Sequence, residues 1–185
     1  MRDDNFLQGR LDFLWDRYFA DVGQTNDVVI KFGRKTRSRL GSIKQGQTQK
    51  ISNSKFPLLC SAPGGQVISN KIPNQNDRDR GHRTTIITIN GLFKEPSIPE
   101  FLIDSVIAHE MVHYAHGFAS PHEKKYDTPH AGGVIKKEMQ ERGLEDLYLL
   151  QKKWLKENWR EFADKHLPRK VMARKRRRRI RFVLR

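Results

Sequence analysis

The chain holds a single cysteine, Cys60, among 185 residues. That excludes an intrachain disulfide and a Cys-rich zinc module, and it fits a reducing, cytoplasmic compartment. No run of about 18 apolar residues exists, so neither a transmembrane helix nor a membrane partner is expected. The stretch MRDDNFLQGR lacks the apolar segment of a secretory signal. Acidic residues are missing from two long stretches. Residues 31–50 carry seven Lys/Arg and residues 169–185 carry ten, with no Asp or Glu in either. Removing those 17 from the 36 Lys and Arg leaves 19 basic against 21 acidic residues. The net charge of +15 is therefore two basic blocks on a near-neutral body. Such blocks suit a polyanionic partner, most often nucleic acid, and DNA is the partner expected here. The candidate phosphate contacts are Arg34, Lys35, Arg37 and Arg39 in the first block. In the second they are Arg174, Lys175, Arg176, Arg177, Arg178 and Arg179. A solvated tail, or a nuclear-import signal in a eukaryote, is the alternative reading of the second block.

With 36% hydrophobic and 31% charged residues, one domain with a modest core is expected. Residues 4–20 show helical spacing of Phe6, Leu7, Leu11, Leu14, Tyr18 and Phe19 behind an Asp/Asn start signal. VVIKFG (28–33) reads as a strand, and LGSIKQ (40–45) is placed to pair with it across the basic turn. Residues 46–83 read as strand fragments in long loops. TTIITIN (84–90) reads as a strand closed by the Asn90-Gly91 turn. Ser97 and Glu100 predict a capping box for the next helix, which runs through Phe101, Leu102, Val106 and Val112 to Gly117. A shorter helix is expected over 134–142, stopped by Gly143. A long one over 144–167 follows, with Leu147, Leu150, Trp154 and Phe162 as core contacts, ended by Pro168.

Inside the capped helix lies His109-Glu110-Met111-Val112-His113, the pattern H-E-x-x-H. Four residues advance a helix by roughly 400° and about 6 Å, so both imidazoles leave one face and can share one ion. Glu110 sits about 100° round from His109, where it reaches a water at the metal without ligating. With zinc as Lewis acid, that carboxylate serves as general base toward a carbonyl carbon. A catalytic zinc takes three protein ligands and keeps one position open. His116 shares the helix face but lies about 10 Å from His109 along the axis, too far to join a tetrahedral ion. His122, His130, Glu138 and Glu141 remain as sources of the third ligand.

FLWDRYFADV, VVIKFGRKTRSRLGSI, TTIITIN, FLIDSVIAHEMVHYAHGF and TPHAGGVIKKEM together resemble the SprT-like metalloprotease domain. That family includes the Spartan proteases of DNA–protein crosslinks, and the resemblance covers roughly residues 5–142. It implies that His130 is the third zinc ligand. Two departures stand out: Pro129-His130-Ala131 replaces the usual Gly-His-Gly, and Val134 stands where the family has an aromatic. The Cys-rich zinc ribbon of many members is impossible with one cysteine.

The fold expected from this resemblance is α+β and zincin-like, with a small, mostly antiparallel sheet packed on the H-E-x-x-H helix. Residues 1–143 would form the metalloprotease domain, 144–168 a C-terminal helix and 169–185 a basic tail. Substrate would lie extended along an edge strand, for which TTIITIN is the candidate. The expected function is a zinc-dependent endopeptidase acting on DNA-associated or DNA-crosslinked proteins, in the nucleoid or the nucleus. The alternative is a nucleic-acid-binding protein with a structural or inactive zinc site. Glu110 favours the enzyme, since structural zinc needs no carboxylate there and is usually held by cysteines.

Overall fold

The computed structural model describes residues 2–47 and 83–167. The loops expected over 48–82, and the tail with Arg174, Lys175, Arg176, Arg177, Arg178 and Arg179, lie outside the described residues. Among the described residues no helix is long and apolar enough to cross a membrane.

Helix α1 (Asp4–Tyr18) begins where the Asp3 carboxylate accepts from the Phe6 N–H at 2.9 Å. Its buried residues Leu7, Leu11 and Leu14 form one apolar stripe at helical spacing. Among the described residues the sheet has three strands, β1 (Val28–Phe32), β2 (Gly41–Gln47) and β3 (Arg83–Ile89), in the order β1-β3-β2. β1 runs parallel to β3, with Val28 opposite Thr85, and β2 runs antiparallel to it, with Gly41 opposite Ile89. The expected pairing of β1 with β2 across the basic turn does not form, and the sheet is mixed instead of mostly antiparallel. Burial explains the order. Thr85, Ile87 and Ile89 of β3 are completely buried, so that strand needs a partner on both sides for its backbone. None of residues 41–46 is buried, and β2, carrying Lys44, takes an edge.

Helix α2 (Glu100–Ala115) is apolar nearly all round, burying Leu102, Ile103, Val106, Ile107, Met111 and Val112 among others. It packs against the sheet, α1 and two later helices. The expected capping box is absent. Pro99 occupies the cap position without a side-chain hydrogen bond, and the helix begins at Glu100. Ile98 is completely buried just before it, so packing and the fixed φ of Pro99 set the start in place of Ser97. Arg10 of α1 clamps α2 by donating to both oxygens of Asp104, at 2.7 and 2.6 Å.

α2 stops in a Schellman motif. The Phe118 N–H donates to His113 O at 2.9 Å and the Gly117 N–H to Tyr114 O at 3.1 Å, with Gly117 at φ 79°. A Cβ on Gly117 would also stand 2.5 Å from Glu123 O, so glycine lets the returning loop pass close. That loop leads to α3 (Val134–Glu141) and, after Gly143 at φ 73°, to α4 (Glu145–His166). Arg142 fixes the end of α3, donating to Tyr18 O at 2.7 Å, Asp21 Oδ1 at 2.6 Å and Glu138 Oε1 at 2.9 Å. α4 packs on α2 and α3, with Leu147, Trp154 and Phe162 half-buried against the core as expected. Leu150 is not a core residue: it is 49% exposed, and its neighbour Gln151 is buried at 7%.

Candidate metal centre

One turn of α2 separates His109 from His113, and their ring centroids lie 4.9 Å apart. The loop that leaves Gly117 returns His130 to within 5.5 Å of the first ring and 4.7 Å of the second. One potential ligand atom from each of the three lies within 4.8 Å of the others, so the group can hold a metal ion. Among the described residues this is the single such group of three or more His, Cys, Asp or Glu. The other candidates for third ligand are engaged elsewhere. His122 packs edge-on against Tyr114, at 5.1 Å between centroids. Glu138 meets His116 at 3.2 Å and Arg142 at 2.8 Å, and Glu141 faces Lys137 at 3.8 Å. His116 is completely buried and ties α2 to α3 through Glu138, outside the centre.

The electrostatics suit metal binding. Burial pulls the His109 imidazole down to about 4, helped by the nearby His130. Burial and the surrounding histidines, His109 first, pull His113 down to about 3. Both are neutral at pH 7, the form that ligates a metal. His113 Nδ1 is buried with no hydrogen-bond partner, an orphan that a bound group or an ordered water would normally satisfy.

Glu110 points toward β2 from the same turn of α2. A Cβ on Gly41 would stand 2.5 Å from Glu110 Oε1 and 2.7 Å from Val106 Cγ1, so the strand approaches the carboxylate this closely only because residue 41 is glycine. Burial pushes the Glu110 carboxyl up to about 8, against the opposing charge of Arg39. A groove of about 620 Å³ runs along the centre, with the three histidines and Glu110 on one side and residues 41–44 of β2 on the other. The strand beside the metal centre is thus β2. TTIITIN, the expected substrate edge, is the central strand with both ladders occupied.

The first basic block is divided by the fold. Lys35 donates to Glu95 Oε1 at 2.9 Å, and Arg37 pairs with Asp164 of α4. Arg39 is exposed on the rim of the metal groove. Arg34, with Lys31 and Lys44, lines an adjoining cavity of about 590 Å³ on the sheet, which shares Arg39, Gly41, Ser42 and Lys44 with the groove. Among the described residues neither Arg34 nor Arg39 forms a salt bridge, though the charge of Arg39 acts on the Glu110 carboxyl. Two functional assignments escaped the sequence reading: Gly41 as the contact of Glu110, and Arg39 as a neighbour of the metal groove. A glycine opening a strand straight after the basic turn is the one signal that could have marked Gly41.

No protein-family model, no curated protein and no solved structure matches the chain. The reading of the centre rests on its own residues and their geometry.

Proposed function

We propose that the protein is a zinc-dependent endopeptidase of the H-E-x-x-H type that acts on DNA-associated or DNA-crosslinked proteins. The observation that carries this reading is the convergence of His109, His113 and His130, with ligand atoms within 4.8 Å, beside the buried carboxylate of Glu110. Three imidazoles without sulfur, facing a groove, form the donor set of a catalytic zinc site more than that of a structural one. Zinc held there supplies Lewis acidity, making water more acidic and polarising a carbonyl. Glu110 takes the proton of the attacking water and hands it to the leaving amine. Burial favours the protonated carboxyl and the Arg39 cation opposes it only in part, so the charge of a bound zinc ion would be what favours the carboxylate form. Among the described residues β2 is an edge strand, and its outer backbone groups would bind an extended peptide as an added strand, which carries the scissile bond past Glu110.

The DNA partner is supported by the two basic blocks and by the cluster of Lys31, Arg34 and Lys44 on the sheet. The testing variant is Glu110→Gln. It should keep its fold and zinc while peptide-bond cleavage falls by ~10²–10⁴, the usual loss when general acid–base help is removed. Wild-type cleavage should disappear with a chelator and return with added zinc. An unchanged rate in Glu110→Gln, measured on a protein substrate with DNA present, would leave a nucleic-acid-binding protein with a non-catalytic metal as the better reading.

A further inference from the structure

A second cavity opens from the metal groove on the side of α4. It measures about 370 Å³ and shares Arg39, Gly41, His109 and Glu110 with the groove. Its remaining walls are chiefly apolar: Leu40 before β2, Val106 on α2, and Tyr148 and Leu155 on α4. Lys152 Nζ lies over the Tyr148 ring, 4.8 Å from its centroid. His109 and Glu110 belong to the metal-binding motif, whereas the wall made by Tyr148 and Leu155 comes from α4, outside the 104–142 region that carries the ligands.

We infer that this cavity is a specificity subsite that takes one large, uncharged, apolar side chain of the substrate next to the scissile bond. The inference rests on the endopeptidase reading of the metal centre. Continuity with that centre fixes the occupant: a side chain entering here belongs to a residue whose backbone passes Glu110 and His109. The size allows it, since about 370 Å³, at the small end of ligand pockets, has room for a large side chain. Charge selects further. Arg39 and Lys152 disfavour a lysine or arginine, and the apolar walls cost any charged group its hydration. Leu40, Val106, Leu155 and the Tyr148 ring reward an aliphatic or aromatic group by removing it from water.

The experiment compares matched probes on the zinc-loaded full chain. Peptide pairs differing only in leucine or glycine beside the scissile bond give a ratio of kcat/KM. A pair of peptide-like hydroxamates, with an isobutyl group or with hydrogen at the same place, gives a ratio of Kd that needs no turnover. Wild type should favour the leucine and isobutyl forms by about 10–200-fold or more, the range that small apolar differences yield in a hydrophobic pocket. Leu155→Trp, which fills the cavity, should collapse both ratios toward unity. Lys152→Glu at the exposed mouth keeps the test alive if Leu155→Trp misfolds: it should raise the relative affinity of a lysine-bearing hydroxamate severalfold. Equal binding of the isobutyl and hydrogen forms by wild type would overturn the subsite. So would a preference that neither variant moves. If no peptide is cleaved but the hydroxamate ratio stands and responds to Leu155→Trp, the subsite holds and the endopeptidase reading fails.

Discussion

His109 and His113 lie four residues apart and end with their rings 4.9 Å apart, facing one centre. Arg37 and Arg39 lie two residues apart and end in different surroundings, one against Asp164 and the other on the rim of the metal groove. A helix converts spacing into geometry by a fixed rule, so a motif on α2 survives folding intact. An irregular basic turn has no such rule. Its cations are partitioned by acids remote in sequence: Glu95 stands 60 residues from Lys35, and Asp164 stands 127 from Arg37. Proximity in sequence is therefore good grounds for a shared metal site on a helix and poor grounds for a shared phosphate surface on a loop.

The comparison is sharpened most by Gly41, which joins the two regions, since it follows the basic turn and touches Glu110. Gly41→Ala must move either β2 or the carboxylate. Misplacement of about 1 Å near reacting groups costs about 10²-fold. Cleavage should fall by that order while zinc content stays full, because residue 41 holds no ligand. Full activity in Gly41→Ala would separate the strand from the chemistry.

A second prediction concerns pH in the metal-free protein. Unfolded, each imidazole takes a proton as pH falls below 6.5, whereas folded His109 and His113 resist until about 4 and about 3. Their contribution to stability therefore declines as pH falls through that window. Glu110 has the opposite sign. Unfolded, it loses its proton above 4.5, and folded it keeps it to about 8, so its contribution declines as pH rises. Between 4.5 and 6.5 two imidazoles outweigh one carboxyl, and above 6.5 only Glu110 remains. Denaturation midpoints of chelated protein should peak near pH 6.5, and Glu110→Gln should remove the decline on the alkaline side. A monotonic profile would contradict the burial assigned to these groups.

The smallest effects belong to the basic block. Deleting residues 169–185 should flatten the slope of log K against log salt on duplex DNA by several units, at about 0.9 for each phosphate released. Arg34→Ala should lower it by about one contact's worth. Lys35→Ala and Arg37→Ala should leave it unchanged; loss of the exposed Lys35 pair should cost ~0–1 kcal/mol of stability, and loss of the part-buried Arg37 pair more. A titration in which Lys35→Ala and Arg34→Ala flatten the slope equally would erase the division the fold makes between them.

What could be read in the sequence was whatever a local period or a backbone rule encodes. The α1 stripe, the H-E-x-x-H face and the glycine stops at Gly117 and Gly143 all appear where expected. The capping box at Ser97 failed because burial of Ile98 sets the chain path there more strongly than a side-chain cap. Strand order failed for a different reason. β3 follows β2 only after 35 intervening residues, and which strand takes the centre depends on tertiary burial of Thr85, Ile87 and Ile89. The substrate edge was misassigned with it. Leu150, expected in the core, is exposed, and Gln151, for which no role was expected, is buried instead, because packing of α4 on α2 and α3 sets which face turns inward. Spacing alone left His130 one of several candidates and only the resemblance singled it out; the loop that turns at Gly117 brings it to the α2 histidines.

The central claim is that three imidazoles, two from α2 and one from the returning loop, share one ion. Its most direct test is metal content per chain, by elemental mass analysis, in wild type and in single alanine variants of His109, His113, His116, His122 and His130. The account predicts one zinc per chain in wild type, His116→Ala and His122→Ala, and loss of zinc in His109→Ala, His113→Ala and His130→Ala. Full zinc in His130→Ala, together with loss in His122→Ala, would contradict it.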